Sequence, residues 1–143
     1  MAYSDNVFLA SMIAETTVSS TALYRVAWHS ELGVIVGDPG STSIAAKPAG
    51  ICYGYTHSTS TAAQEAIPIA VGGIAKVACI ASTVAVGELL GASSNGWGCT
   101  PTTNHFVLGK VITGSSAGAG AVKSVLLANP MVVYSRFAGV GTT

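Results

Sequence analysis

The stretch Val84–Leu127, VAVGELLGASSNGWGCTPTTNHFVLGKVITGSSAGAGAVKSVLL, decides the reading of this chain. It passes from an apolar run through a Gly-acid step into a polar turn and a Pro-Thr-Thr loop. Two more apolar runs follow, separated by a loop of small residues. Short apolar runs bounded by Gly, Pro, Ser and Asn mark strands rather than helices. Asn95-Gly96 predicts a type I′ hairpin, in which both central residues take positive φ. In Val122–Leu127 the side chains alternate weakly. Val122, Ser124 and Leu126 share one face; Lys123, Val125 and Leu127 share the other. A barrel wall whose outer face packs on a neighbour shows this pattern. The stretch carries almost no ionisable chemistry.

The same grammar extends from Ala22 onward. Strands are predicted over Leu23–Trp28, Leu32–Val36, Ile51–Tyr55, Ile67–Val71, Ile74–Ile80, Glu88–Leu90, Phe106–Ile112, Val122–Leu127 and Met131–Tyr134. Gly37-Asp38-Pro39-Gly40 is a second strong turn signal. The first twenty residues differ. They hold one cluster of larger apolar side chains, Val7, Phe8, Leu9, Met12 and Ile13. Asp5 can cap a short helix with Phe8/Met12 and Leu9/Ile13 as i,i+4 pairs, or the run can be extended. Residues 1–20 are therefore treated as an N-terminal arm. Residues 21–143 read as one β-barrel domain with a C-terminal strand or tail. The fold class is all-β: a compact β-barrel or β-sandwich of short strands.

A faint internal repeat runs through it. Ser20-Thr21-Ala22-Leu23-Tyr24-Arg25-Val26 resembles Ser82-Thr83-Val84-Ala85-Val86-Gly87-Glu88, and Gly50-Ile51-Cys52-Tyr53 resembles Gly109-Lys110-Val111-Ile112. Each copy then leads through a small-residue loop to a strand with one lysine, Lys76 or Lys123. Internal duplication is the expectation, with Val84–Leu127 as the second half.

Composition narrows the function classes. Charged residues are 8% of the 143, and apolar residues 50%, against about 25% charged in ordinary globular domains. Mean hydropathy is +0.57. So few charges, with a net charge of zero, favour burial of surface against copies of itself or a larger partner. The six basic residues, Arg25, Lys47, Lys76, Lys110, Lys123 and Arg136, are spread evenly, which argues against a nucleic-acid track. The run Val77–Gly87 lies between Lys76 and Glu88, well short of the roughly 20 residues of a membrane span. No Lys or Arg precedes Arg25, so a secretion-signal n-region is not expected, and synthesis in a cytoplasm is.

The chemistry-bearing residues form no convincing constellation. Gly114-Ser115-Ser116-Ala117-Gly118 is a literal G-x-S-x-G. The acid and histidine that should follow the serine both lie upstream, at Glu88 and His105. Cys52-x4-His57 and Cys99-x5-His105 offer four zinc ligand types at loose spacing. The three cysteines, Cys52, Cys79 and Cys99, read as reduced, buried thiols. No phosphate-cradle motif occurs. No catalytic residue, metal or cofactor is expected. Trp97, beside the Asn95-Gly96 turn, is the aromatic best placed for exposure, unless it folds back over the barrel mouth. Trp28 reads as core.

These residues resemble a known family. Val86-Gly87-Glu88-Leu89-Leu90, Gly96, Leu108-Gly109-Lys110, Ala117-Gly118 and Val122-Lys123-Ser124-Val125-Leu126-Leu127 follow the grammar of the small β-barrel capsid decoration (cement) proteins of tailed bacteriophages. The resemblance covers the C-terminal half well and the first half through the repeat. It departs in the segment before Thr21 and in the apolar tail Met131–Thr143. It implies a non-enzymatic virion protein, made in the host cytoplasm, that binds the outside of a capsid. Its partners would be the major capsid protein and itself, as a trimer or similar oligomer, without nucleic acid or membrane. Val7, Phe8, Leu9 and Trp97 are the expected capsid or subunit contacts. The alternative is a glycan- or host-surface-binding module of a fibre or tail, with Trp97 as its platform.

Overall fold

The computed structural model describes residues 6–39, 47–57, 60–80, 84–102, 105–114, 121–128 and 131–132. These form an all-β molecule with one short 3-10 turn, Ser20–Ala22. The strands are β1 (Val7–Ile13), β2 (Val26–His29), β3 (Val34–Val36), β4 (Pro48–Cys52), β5 (Ala66–Cys79), β6 (Leu89–Ala92), β7 (Gly98–Cys99), β8 (Phe106–Thr113) and β9 (Ala121–Leu127).

Hydrogen bonding groups the strands into two rings. In the second, β5 pairs with β9, β9 with β8, β8 with β6, β6 with β7, and β7 returns to β5 in parallel at Cys79↔Gly98. This is a closed five-stranded barrel. In the first, β1 pairs with β5, β5 with β4, β4 with β2 and β2 with β3. A single parallel bridge, Ala14↔Val34, joins the end of β1 to β3 and completes the circuit.

β5 belongs to both rings. Its first part, up to Gly73, pairs with β1 and β4; its second part, from Ile74, pairs with β9 and β7. The sequence predicts two strands here, broken at Gly72-Gly73. The chain instead continues as one strand and changes ring at those glycines. Gly73 takes φ +80, and a Cβ there would lie 2.0 Å from the Asn6 carbonyl oxygen. Only glycine fits that bend.

The two rings repeat one another in register. Val26↔Ile51 and Ala27↔Gly50 in the first correspond to Leu89↔Lys110 and Leu90↔Gly109 in the second. A β-bulge follows at the same place in each, between Ala27 and Trp28 and between Leu90 and Gly91. The pairs from Leu9↔Ala70 to Ile13↔Ala66 match those from Ile74↔Leu126 to Ala78↔Val122. The turns entering β2 and β6 agree in detail. Tyr24 N donates to Cys52 O (2.8 Å) and Gly87 N to Val111 O (2.8 Å); Tyr24 and Gly87 both have positive φ. Gly50 and Gly109 are likewise equivalent. A Cβ would stand 2.1 Å from the Ala70 carbonyl oxygen in one and 2.0 Å from that of Leu126 in the other.

Duplication is therefore visible in the ladder, with different boundaries from those read in the sequence. The halves are Val7–Val71 and Ile74–Leu127. The Gly50/Gly109 alignment is in step. The Ser20/Ser82 alignment is one residue out, because Tyr24 corresponds to Gly87. Lys76 and Lys123 are not equivalent: Lys76 corresponds to Ser11 and Lys123 to Ile67.

Alternation along the strands fills two cores. Ala27, Val34, Cys52, Ile67 and Ile69 point into the first barrel. The neighbouring Val26, Trp28, Ile51 and Ala70 point the other way and join Val77, Leu90, Val111 and Val125 in one larger cluster. The side of the first barrel's outer wall formed by β2, β4 and β5 is thus covered by the second. Full burial of side chains such as Ile51, Ile67, Ile69 and Leu90 contributes about 1.5–3 kcal/mol each.

Of the two readings for the apolar run before Thr21, the extended one holds, and it is built into the wall. Val7–Ile13 is a strand of the first ring, and Asp5 lies outside the described residues. A register shift between Phe8 and Leu9 turns both side chains outward. The hairpin at Asn95-Gly96 is not type I′. Among described non-glycine residues only Tyr24 and Gln64 have positive φ, so Asn95 does not. Gly96 N donates to Ser93 O (3.0 Å), and Ser93 N to Trp97 O (2.8 Å). A three-residue loop that ends on glycine needs just one left-handed residue. Met131 and Val132 are outside any strand, although Val107 N donates to Val132 O (2.8 Å). The rest of the Met131–Tyr134 prediction falls outside the described residues.

Candidate functional site

Nucleophile and metal candidates come first. Cys52 is buried in the first barrel, while Cys79 and Cys99 are buried in the second. Burial pushes all three thiols up, Cys79 and Cys99 to about 11. At neutral pH they are protonated and poorly nucleophilic. The four proposed zinc ligands are split between the barrels. His57 turns to Glu65, Nε2 to Oε2 at 3.0 Å. Cys99 Sγ lies 3.6 Å from His105 Nδ1, which also meets Thr102 Oγ1 at 3.3 Å. Among the described residues no three His, Cys, Asp or Glu gather as metal ligands. Ser115–Gly118 of the G-x-S-x-G match lie outside the described residues.

The strongest side-chain constellation is the junction between the barrels. From the first barrel, Tyr24 O accepts from Ala78 N (2.9 Å), Tyr53 Oη accepts from Lys76 N (2.8 Å), and Val26 N donates to Gly96 O (2.9 Å). Arg25 reaches across to the Asn95 carbonyl, and its guanidinium carbon lies 4.4 Å from the centre of the Trp97 ring. Burial lowers the Arg25 pKa, and Asp38 partly offsets this. Tyr24 and Tyr53 meet edge to face at 5.3 Å. Trp28 is buried with Nε1 donating to Gly37 O at 2.7 Å. Trp97 therefore sits half-buried beneath Arg25, in a clasp between the barrels, and is not a free loop tip.

The remaining candidates lie on the outside. Val7 is half-buried against the larger core. Phe8 and Leu9 are open, at 68% and 54% exposure. Of their companions, sequence reading set Ile13 in the same apolar cluster and did not single out Leu32. Ile13 and Leu32 are exposed near the free side of β1 and the β2–β3 hairpin. On the second barrel, Val86, Leu89 and Leu126 are exposed. The alternation in Val122–Leu127 set Leu126 on the face opposite Val125 and Leu127 without saying which face was the outer one.

Known proteins offer little overlap in sequence: no family model matches the chain, and no curated protein sequence does.. Among solved structures, the chain is similar to the N base of the head fiber gp8.5 of bacteriophage phi29. Identity is 12%, the match covers 91% of this chain and 99% of that one, and the TM-score is 0.49.

Proposed function

We propose that this chain is a non-enzymatic structural protein of a phage virion that attaches to the outside of the capsid and stabilises the major capsid protein lattice. The observation that carries the reading is apolar side chains left open on two outer walls of a charge-poor double barrel. Exposed apolar patches of this kind mark protein interfaces. The residues that resemble decoration proteins support it. Glu88-Leu89-Leu90, Leu108-Gly109-Lys110 and Val122–Leu127 fall together in β6, β8 and β9 and the turn entering β6. Attachment works by linkage. A protein that binds only the assembled shell shifts the equilibrium toward it. Several weak contacts joined in one oligomer give avid attachment.

The test is quantitative proteomics of purified virions, with the full chain added back to stripped shells. A fixed ratio to the major capsid protein is expected, together with co-sedimentation with shells and a higher temperature of shell disruption. Absence from virions, or location on the tail with glycan binding in place of shell binding, overturns the proposal.

A further inference from the structure

The internal junction is a template for a second one. On the first barrel, the wall of Val26, Ile51 and Ala70 is fully buried by the second barrel. The register match places Leu89, Lys110 and Leu126 at the same positions of the second barrel. There, Leu89 is 45% and Leu126 49% exposed. The other side of the junction is the outward face of β5 from Ile74 to Ala78, with the β6–β7 hairpin at Gly96. Its counterpart on the first barrel is Leu9 and Ile13 of β1, with Leu32 at the tip of the β2–β3 hairpin. These three are also open, Leu32 at 61%. Each chain thus holds one closed junction and both halves of another.

We propose that a second copy of this chain completes it. The Leu9, Ile13 and Leu32 side of one copy lies on the Leu89 and Leu126 side of the next, in the arrangement the two barrels of one chain adopt. Such an interface is heterologous, so it propagates head to tail and closes into a ring where the rotation allows. The copy is not perfect. Arg25 corresponds to Glu88, whose carboxylate is held by Ala85 N at 3.1 Å. Trp97 corresponds to Gly33. The cation–aromatic clasp of the internal junction is therefore missing, Lys110 stands where Ile51 is buried, and the contact between copies is weaker. The inference builds on the oligomeric part of the proposed function and is independent of the shell contact.

The experiment uses the full chain without shells, with mass read by sedimentation equilibrium. The wild-type protein should form a species larger than one chain. Leu32→Asp and Leu126→Asp should each be monomeric, because each destroys one of the two sides. Mixed in equal amounts, they should form a dimer and nothing larger, because one intact pair of sides remains. Both positions are exposed, so circular dichroism should match wild type, and melting should match it at concentrations low enough to leave the wild type monomeric. Leu9→Asp with Leu89→Asp provides a second such pair. A wild-type monomer at every concentration up to about 1 mM overturns the proposal. So does either single variant that still assembles, or a mixture that fails to pair. Shell sedimentation that persists while self-association fails leaves the capsid reading standing and removes this one.

Discussion

Replacing Gly109 with alanine places a methyl group 2.0 Å from the Leu126 carbonyl oxygen, where real Cβ atoms essentially never come within 3.0 Å. Strands β8 and β9 must therefore part by about 1 Å at the point where Gly109↔Leu127 and Lys110↔Leu126 pair. Two ladder bonds weakened at about 1 kcal/mol each, plus about 1–3 kcal/mol of overpacking strain, give a loss of about 3–5 kcal/mol. That is a large share of the roughly 7–20 kcal/mol expected for a chain of this length. Gly87→Ala is the control. It has φ +91 but nothing within 4 Å of its Cβ, so it tests backbone strain alone, about 1–2 kcal/mol. Tyr24 holds the equivalent place, so a side chain is tolerated there. Urea unfolding of the variants measures each cost. Gly50→Ala should lose as much as Gly109→Ala, since its methyl would meet the Ala70 carbonyl in the same way. The reasoning is refuted if Gly109→Ala costs no more than Gly87→Ala.

Trp28→Phe should cost about 1–3 kcal/mol, because it leaves the Gly37 carbonyl without its indole donor. Trp28→Ala should cost about 3–5 kcal/mol; urea unfolding followed by circular dichroism checks both, and a cost under that of Gly87→Ala for the alanine variant would contradict the buried junction. Stability should fall in alkali. The fold holds Cys79 and Cys99 at about 11, above the ordinary value of 9.0. Neither state ionises these thiols below the ordinary value, so the fold keeps its full stability there. Between the ordinary and raised values the unfolded chain ionises first, and stability drops by up to about 3 kcal/mol per thiol. The Cys79→Ala, Cys99→Ala double variant should lose most of that decline between about pH 9 and pH 11; an unchanged decline would place its cause elsewhere.

How much of this was legible in the sequence depends on what each residue must avoid. Gly50 and Gly109 face a carbonyl across the ladder, so both copies kept glycine and the repeat showed there. Core positions accept any apolar side chain of suitable size, so Cys52 and Val111 share a place without any sequence likeness. β1 escaped because its register shift sets Phe8 and Leu9 on one side and erases the period of two. β5 was read as two strands because the glycines of its bend look like a loop in letters. The site was harder. Outward Leu89 and Leu126 and inward Leu90 and Leu127 are the same residue type, and only the ladder separates them. Trp97 was singled out as an exposed aromatic, because its cover, Arg25, lies far away along the chain.

The strand common to both rings gives the molecule an unusual way of bearing load. Two ordinary domains meet through side chains, and a pull on one is passed to the other only as far as that contact holds. Here the last strand of one barrel is the first strand of the next, so tension crosses from ring to ring along covalent backbone. A force that distorts either barrel must also shear the ladders of its neighbour, at β9 on one side and at β1 and β4 on the other. The two rings are then expected to yield together under force rather than one after the other.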